Sequence, residues 1–360
     1  MSRGAVQNLP LPGLMVGTVG LSLTAEDIDR LCHPKVVGVI LFARNFEDLP
    51  QLTALVTAIK RLRQPPLLVA VDQEGGPVQR FGSPFTPLPA AASLGRYFDR
   101  DPVAALGLAQ RSGRLMAAEL AAAGVDFSFA PVLDLQWGVS SIIGERSFHR
   151  DPLVVSALAS MLIDGMAAED MAAVGKHFPG HGGVAADSHT TLPVDCRPLG
   201  EIEANDLIPF AALAPRLAGV MPAHVLYQQV DPRPAGFSSL WLDDVLRRRL
   251  GYRGLVVSDD LDMAGAAFAG EGAARVEAAV AAGCQLLLVC NDLEAAGRAA
   301  ETLAAIDSPP AEVPPGAWAP LARPRTAPLW SDLRHDAFYR RTRDDLEALV
   351  ALESNGDGTD

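Results

Sequence analysis

The sequence predicts an α/β protein built as a single (β/α)8 barrel of the TIM type, and three observations predict it. Short apolar runs, such as Val-Val-Gly-Val-Ile-Leu-Phe at 36–42, alternate about eight times with helix-patterned segments, as parallel strands buried on both faces require. Polar residues gather where those runs end, at Asp72, Asp134, Lys176, His177, His224, Asp259 and Asn291. In a closed barrel such ends share one mouth, whereas in the alternative, an open doubly wound sheet, they do not all converge. The length, 360 residues, fits one barrel of roughly 250 residues with additions.

Taken in order, a short arm leads into a first strand at 13–19. Thr24, with Asp27 three residues later, forms a capping-box pattern that opens a helix to about residue 31. A strand at 36–42 and a helix at 49–63 follow. The alternation continues with strand 67–71, helix 102–123, strand 125–130, helix 152–169, strand 172–175, helix 200–213 and strand 219–222. It closes with helix 240–250, strand 254–257, helix 273–282, strand 285–289 and helix 293–305. Residues 1–305 are thus read as the catalytic barrel. Residues 306–352 are read as a Pro-rich connection and a C-terminal helix, 330–352, packed on the barrel, and 353–360 as a disordered tail.

A formal charge of -13 excludes a phosphate-backbone partner, which needs a basic stripe. Hydrophobic residues make up 49% of the chain but form no run long enough to span a bilayer. The apolar stretch 9–23 is broken by Pro10, Pro12, Gly13, Gly17 and Gly20 and lacks a usual cleavage site, so it is not read as a secretion signal. Cys32, Cys196, Cys284 and Cys290 show no CxxC or metal-finger spacing, which suggests buried thiols in a reducing compartment and a cytoplasmic location.

The chain is organised around residues 175–190, Gly-Lys-His-Phe-Pro-Gly-His-Gly-Gly-Val-Ala-Ala-Asp-Ser-His-Thr. A strand end holds Lys176 and His177, and a glycine-rich loop able to move follows it. In that loop Asp187 can orient His189 and hold its pKa near neutrality for proton transfer. The competing reading makes His177, His181, Asp187 and His189 metal ligands for hydrolysis. However, Pro179 and Gly180 keep His177 and His181 off a common helix face. Asp259 and Asp260 end a strand in Val-Val-Ser-Asp-Asp-Leu-Asp-Met, where the pleat lets only one point straight into the mouth. An ionised carboxylate there can attack an electrophilic carbon. Asp72, in Val-Asp-Gln-Glu-Gly-Gly, can accept two hydroxyls of one sugar ring, and Arg80 can donate to neighbouring oxygens. Arg146 adds a guanidinium after another strand, and His224 reads as a wall residue.

Lys176-His177-Phe178-Pro179-Gly180-His181-Gly182, then Asp187-Ser188-His189, with Asp72-Gln73-Glu74-Gly75-Gly76 upstream and Ser258-Asp259-Asp260-Leu261 with Met263 downstream, resembles the family 3 glycoside hydrolases. More narrowly, it resembles their single-domain β-N-acetylglucosaminidases of cell-wall recycling. The resemblance implies Asp259 as nucleophile, His189 as acid/base and Asp187 as its partner. It implies Asp72, Arg80, Arg146, Lys176 and His177 as the groups that hold the sugar. The activity implied is retaining removal of terminal β-linked N-acetylglucosamine from a muropeptide or similar small glycoside, by a monomer, with no cofactor, metal, nucleic acid or membrane. The larger family members supply a carboxylate acid/base from a second domain, for which too little chain follows residue 305. A phosphorylase, a metal-dependent barrel hydrolase and a non-catalytic sugar-binding barrel remain as alternatives.

Overall fold

The structure, a computed structural model, describes residue 9 and residues 11–188, 190–306, 316–322 and 327–356, the side chains of 353–356 excepted. One sheet of eight strands forms the centre: β1 Gly13–Val16, β2 Val36–Leu41, β3 Leu68–Val71, β4 Phe127–Ser128, β5 Val174–Phe178, β6 Gly219–Pro222, β7 Leu255–Asp260 and β8 Leu286–Val289. Their order is β4-β3-β2-β1-β8-β7-β6-β5, and each neighbouring pair is parallel. Beyond β4, the N–H of Val174 donates to Ala130 at 2.9 Å and that of Lys176 to Pro131 at 3.2 Å, while Leu133 donates to the Lys176 carbonyl at 2.6 Å. Those bonds join β5 to the segment after β4 and close the ring. Chain order kept around a ring is the predicted barrel, since an open doubly wound sheet reverses order at a switch point.

The strands are apolar because both faces are covered: Val37, Val39, Leu41, Val69, Val71, Val256 and Leu287 are each 0% exposed. Around them lie helices that the sequence places well where caps are clear. Thr24 and Asp27 do exchange capping bonds at Ala25–Leu31, and Asp101 accepts from the Ala104 N–H at the start of Pro102–Ala122. Three helices differ from expectation. An additional one, Ala91–Arg100, packs beside Gly144–Arg146, with Arg96 2.9 Å from Glu145. The 200–213 helix divides into Leu199–Ala204 and Leu207–Leu213, because Asp206 turns inward to Arg197, at 2.8 Å, and to the Trp137 indole, at 3.0 Å. The 330–352 helix divides at Asp336, whose carboxylate takes the Phe338 N–H at 2.8 Å, and the second piece, Ala337–Gly356, runs four residues into the segment read as tail. Residues 357–360, and most of the connection 306–329, lie outside the described residues.

The C-terminal pieces lie against Pro102–Ala122. Trp330 packs edge-on to Phe85 at 4.9 Å, Arg111 pairs with Asp345 at 2.5 Å, and Tyr339 donates to Glu169 at 2.9 Å. Among the cysteines, Cys284 and Cys290 are buried but Cys32 and Cys196 are exposed, so burial is not a common property of the four. No described helix is long and apolar enough to cross a membrane.

Two strands carry an irregularity where the sequence puts its most reactive residues. Between β5 and β6 the register moves from Lys176↔Met221 to Phe178↔Pro222, leaving His177 as an extra residue, and the Lys176–His177 peptide is cis. Between β7 and β8 it moves from Val257↔Leu286 to Asp260↔Leu288, again with one residue to spare, and the Ser258 hydroxyl accepts the Leu288 N–H at 3.0 Å. Bulges of this kind re-aim side chains at the rim of a barrel.

Candidate active site

A cavity of ≈ 660 Å3 opens at the C-terminal ends of the strands. Of the residues predicted from sequence, Asp72, Arg80, Arg146, Lys176, His177 and Asp259 all line it. Asp187 is not among its described lining residues although Ser188 is, and His189 lies outside the described residues.

One wall is a cluster of buried charges. Lys176, its side chain 3% exposed, places Nζ 2.6 Å from Asp72 Oδ1 and 2.6 Å from Glu74 Oε1. Arg146 closes on Glu74 with two parallel bonds, Nε to Oε2 at 2.8 Å and Nη2 to Oε1 at 2.9 Å. Arg80 stands 3.8 Å from the other oxygen of Asp72. Burial alone drives Glu74 toward its neutral form, but Lys176 and Arg146 outweigh it and hold the carboxyl far below the usual range. Burial likewise opposes the Lys176 charge, and Asp72 and Glu74 raise its pKa regardless. Four fixed charges therefore face the cavity with lone pairs and N–H groups in defined directions, which suits the hydroxyls of a polyol.

Next to this wall, Asp134 organises the start of the 175–190 motif. One of its oxygens takes His177 Nδ1 at 2.7 Å, and the other accepts the N–H of His177 at 3.2 Å and of His181 at 2.7 Å. Burial opposes ionisation of Asp134, yet the neighbouring His177 and these bonds lower its pKa. With Nδ1 committed to Asp134, His177 presents its other nitrogen edge to the cavity. The loop beyond is pressed close to its support: a Cβ on Gly182 would sit 1.8 Å from the Leu135 carbonyl oxygen, and Tyr227 donates its hydroxyl to Gly180 at 2.7 Å. Thr190 and Thr191 both donate N–H groups to the Asp187 carbonyl at 3.0 Å.

On the opposite side, Asp259 and Asp260 both line the cavity at the bulge in β7. They differ in their commitments. Asp260 is bound to the end of β8, accepting from the Cys290 N–H at 3.2 Å and the Asn291 amide at 2.9 Å. Burial, with Asp262 and Asp259 adding to it, pushes Asp260 up to about 7. Asp259 accepts the Asp260 N–H at 2.8 Å. His224 is fully buried, stacked on Phe237 at 5.3 Å with Nε2 3.3 Å from the Asp260 carbonyl, and is not among the described residues that line the cavity. Among the described residues no three of His, Cys, Asp and Glu are placed to hold a metal ion together.

The sequence assigns no site role to Glu74 or Ser188, and it places Asp134 and Asp260 at strand ends without one. Glu74 lies two positions after Asp72, on the same face of an extended segment, and that spacing is a usable signal. Asp134 and Ser188 act on partners 43 and 7 residues away, which only the fold brings close.

A parallel barrel whose mouth presents a half-buried carboxylate beside a wall of fixed ionic hydrogen-bonding groups has the layout of a glycosidase. Comparison with known proteins agrees. Residues 13–313 match the family described as Glycosyl hydrolase family 3 N terminal domain. A Beta-hexosaminidase of Bordetella avium is 51% identical over 346 residues, covering 95% of this chain and 97% of that protein. The crystal structure of NagZ from Neisseria gonorrhoeae in complex with N-trifluoroacetyl-D-glucosamine superposes with a TM-score of 0.86 at 41% identity, covering 96% of this chain and 100% of that one. A family 3 β-N-acetylglucosaminidase from Paenibacillus superposes with a TM-score of 0.78 at 30% identity, and there the match covers 92% of this chain but 61% of the other. The chain belongs to glycoside hydrolase family 3 and is a glycosidase.

Proposed function

We propose that the chain is a monomeric exo-β-N-acetylglucosaminidase that removes terminal β-linked N-acetylglucosamine from small peptidoglycan-derived glycosides, with retention of configuration. The observation that carries this reading is that Asp259 and the Lys176–Asp72–Glu74–Arg146 cluster line one cavity of ≈ 660 Å3, large enough for a sugar residue and part of its aglycone. The relatives support the acetamido sugar, being named Beta-hexosaminidase, and one solved neighbour holds an N-acylated glucosamine. Four free cysteines fit a cytoplasmic site of action.

In this reading Asp72, Arg80, Arg146, Lys176 and His177 hold the ring. The Asp259 carboxylate forms a bond to the anomeric carbon as the bond to the aglycone oxygen breaks, and His189 gives that oxygen its proton. Neutral His189 then takes a proton from water, whose oxygen displaces Asp259 and frees the sugar. Asp187 orients the imidazole in both steps, and the histidine replaces the second carboxylate usual in retaining glycosidases.

The test compares nitrophenyl β-N-acetylglucosaminide with the matching β-glucoside, using chelator-treated protein and its Asp259→Ala variant in phosphate-free buffer. The expected result is release from the acetamido sugar only, with a loss of roughly 10^4-fold or more in the variant. Substantial turnover by Asp259→Ala, or activity that appears only on adding metal or phosphate, overturns the mechanism.

A further inference from the structure

Ser188 sits between Asp187 and the proposed acid/base His189, and it is bonded on two sides, to an earlier residue of the same loop and to the segment after β7. Its hydroxyl shares a 3.1 Å hydrogen bond with His181 Nε2. Its carbonyl accepts the Gly265 N–H at 2.9 Å, from the segment that follows β7 and the nucleophile. Ser188 is 2% exposed and His181 also 2%, so water does not compete for the bond between them. Gly265 is shaped for the contact: a Cβ there would lie 2.9 Å from His224 Cβ and 3.1 Å from the Ser188 oxygen, so a larger residue would push the loop away. His181 in turn is fixed at its backbone by Asp134 at 2.7 Å, the same carboxylate that holds His177. Burial, then the nearby His177, lowers the pKa of His181, and a neutral imidazole suits a bond to a hydroxyl.

We propose that Ser188 is a positioning residue: through His181 on one side and Gly265 on the other, it fixes the backbone that immediately precedes the proposed proton donor. Asp134 thereby governs both the sugar-facing His177 and, through His181 and Ser188, the proton-transfer loop. This rests on the assignment of His189 as acid/base, and it gives Ser188 and His181 roles in transition-state geometry that do not require them to touch the substrate.

The experiment measures kcat/KM, which reports the steps through first bond cleavage, on an activated nitrophenyl glycoside and on an alkyl glycoside that needs protonation to depart. The enzymes compared are the parent, Ser188→Ala, His181→Phe, their double variant and His189→Ala. The expected outcome is a loss in Ser188→Ala at least tenfold greater on the alkyl glycoside than on the nitrophenyl one. His181→Phe should repeat it, and the double variant should lose no more than the worse single variant, because both act through one bond. Equal losses on the two substrates in Ser188→Ala, or additive losses in the double variant, overturn the proposal while leaving the His189 assignment intact if His189→Ala alone shows the selective loss. If His189→Ala also loses equally on both substrates, the acid/base assignment falls and the Ser188 proposal with it. Should Ser188→Ala not fold, the selectivity of His181→Phe decides.

Discussion

The wall around Lys176 holds its functional groups by charge on charge, whereas the loop at 180–188 is held by single hydrogen bonds, one of them from the His181 N–H to the Asp134 carboxylate, and by close backbone contact. In the wall, Lys176, Asp72, Glu74 and Arg146 are mutually paired at 2.6 to 2.9 Å and mostly buried, so no member can move without stranding another's charge. In the loop, the fastenings include single neutral bonds, Tyr227 to Gly180, His181 to Ser188 and Gly265 to Ser188, each worth about 1 kcal/mol net, beside the bond from the His181 N–H to Asp134. The contrast teaches that one site can combine a rigidly charged wall with a loop fastened by weaker individual bonds. In the proposed mechanism, substrate recognition rests on preorganised electrostatics and proton transfer on the loop that follows Lys176 and His177.

Of the changes that separate the two regions, removing the donor from the loop side should have the larger effect on rate. His189→Ala is expected to lose roughly 10^2- to 10^4-fold in kcat/KM on alkyl glycosides and far less on nitrophenyl glycosides, because only the former require a proton. A plot of log kcat/KM against leaving-group pKa would steepen in the variant; an unchanged slope argues against His189 as the acid.

Breaking the charged wall should instead register in stability. Lys176→Met leaves Asp72 and Glu74 facing each other without their shared cation, and a loss of about 3 to 5 kcal/mol is expected, the usual consequence of orphaning a buried charge. Urea unfolding provides the measurement. A variant within about 1 kcal/mol of the parent would mean that the wall is held by shape and that the comparison drawn above is wrong.

The smallest effect sharpens the comparison through pH. Asp260 titrates at about 7 in the folded chain and near 3.9 when unfolded, so between those values the folded state holds a proton that the unfolded state has lost. Its contribution to stability is therefore complete below about pH 4 and lost as the pH rises to about 7, at most on the order of 4 kcal/mol. Asp260→Asn cannot ionise, so its Tm should gain on that of the parent between pH 5 and pH 8. A constant difference across that range would show that Asp260 does not titrate within it in the folded chain.

Much of this was legible in the residues. The apolar run 36–42 required a strand covered on both faces, Thr24 with Asp27 marked a helix start to the residue, and the polar residues at strand ends predicted a shared mouth. The divided helices were not legible, since Asp206 and Asp336 break them by reaching for partners that a helical pattern does not reveal. Chemical identity and local period are properties of the chain itself, and they decided the fold class, the site's composition and the positions of Lys176, His177, Asp72 and Asp259 within it. Only the tertiary structure decided how those groups are charged and aimed. The extra residues at His177 and in 258–260 exist relative to β6 and β8, the depressed carboxyl of Glu74 exists because Lys176 and Arg146 arrive from elsewhere, and Ser188 meets His181 and Gly265 only when the ring closes. Electrostatic environment and register depend on distances between residues far apart in sequence, and those distances are fixed only by folding.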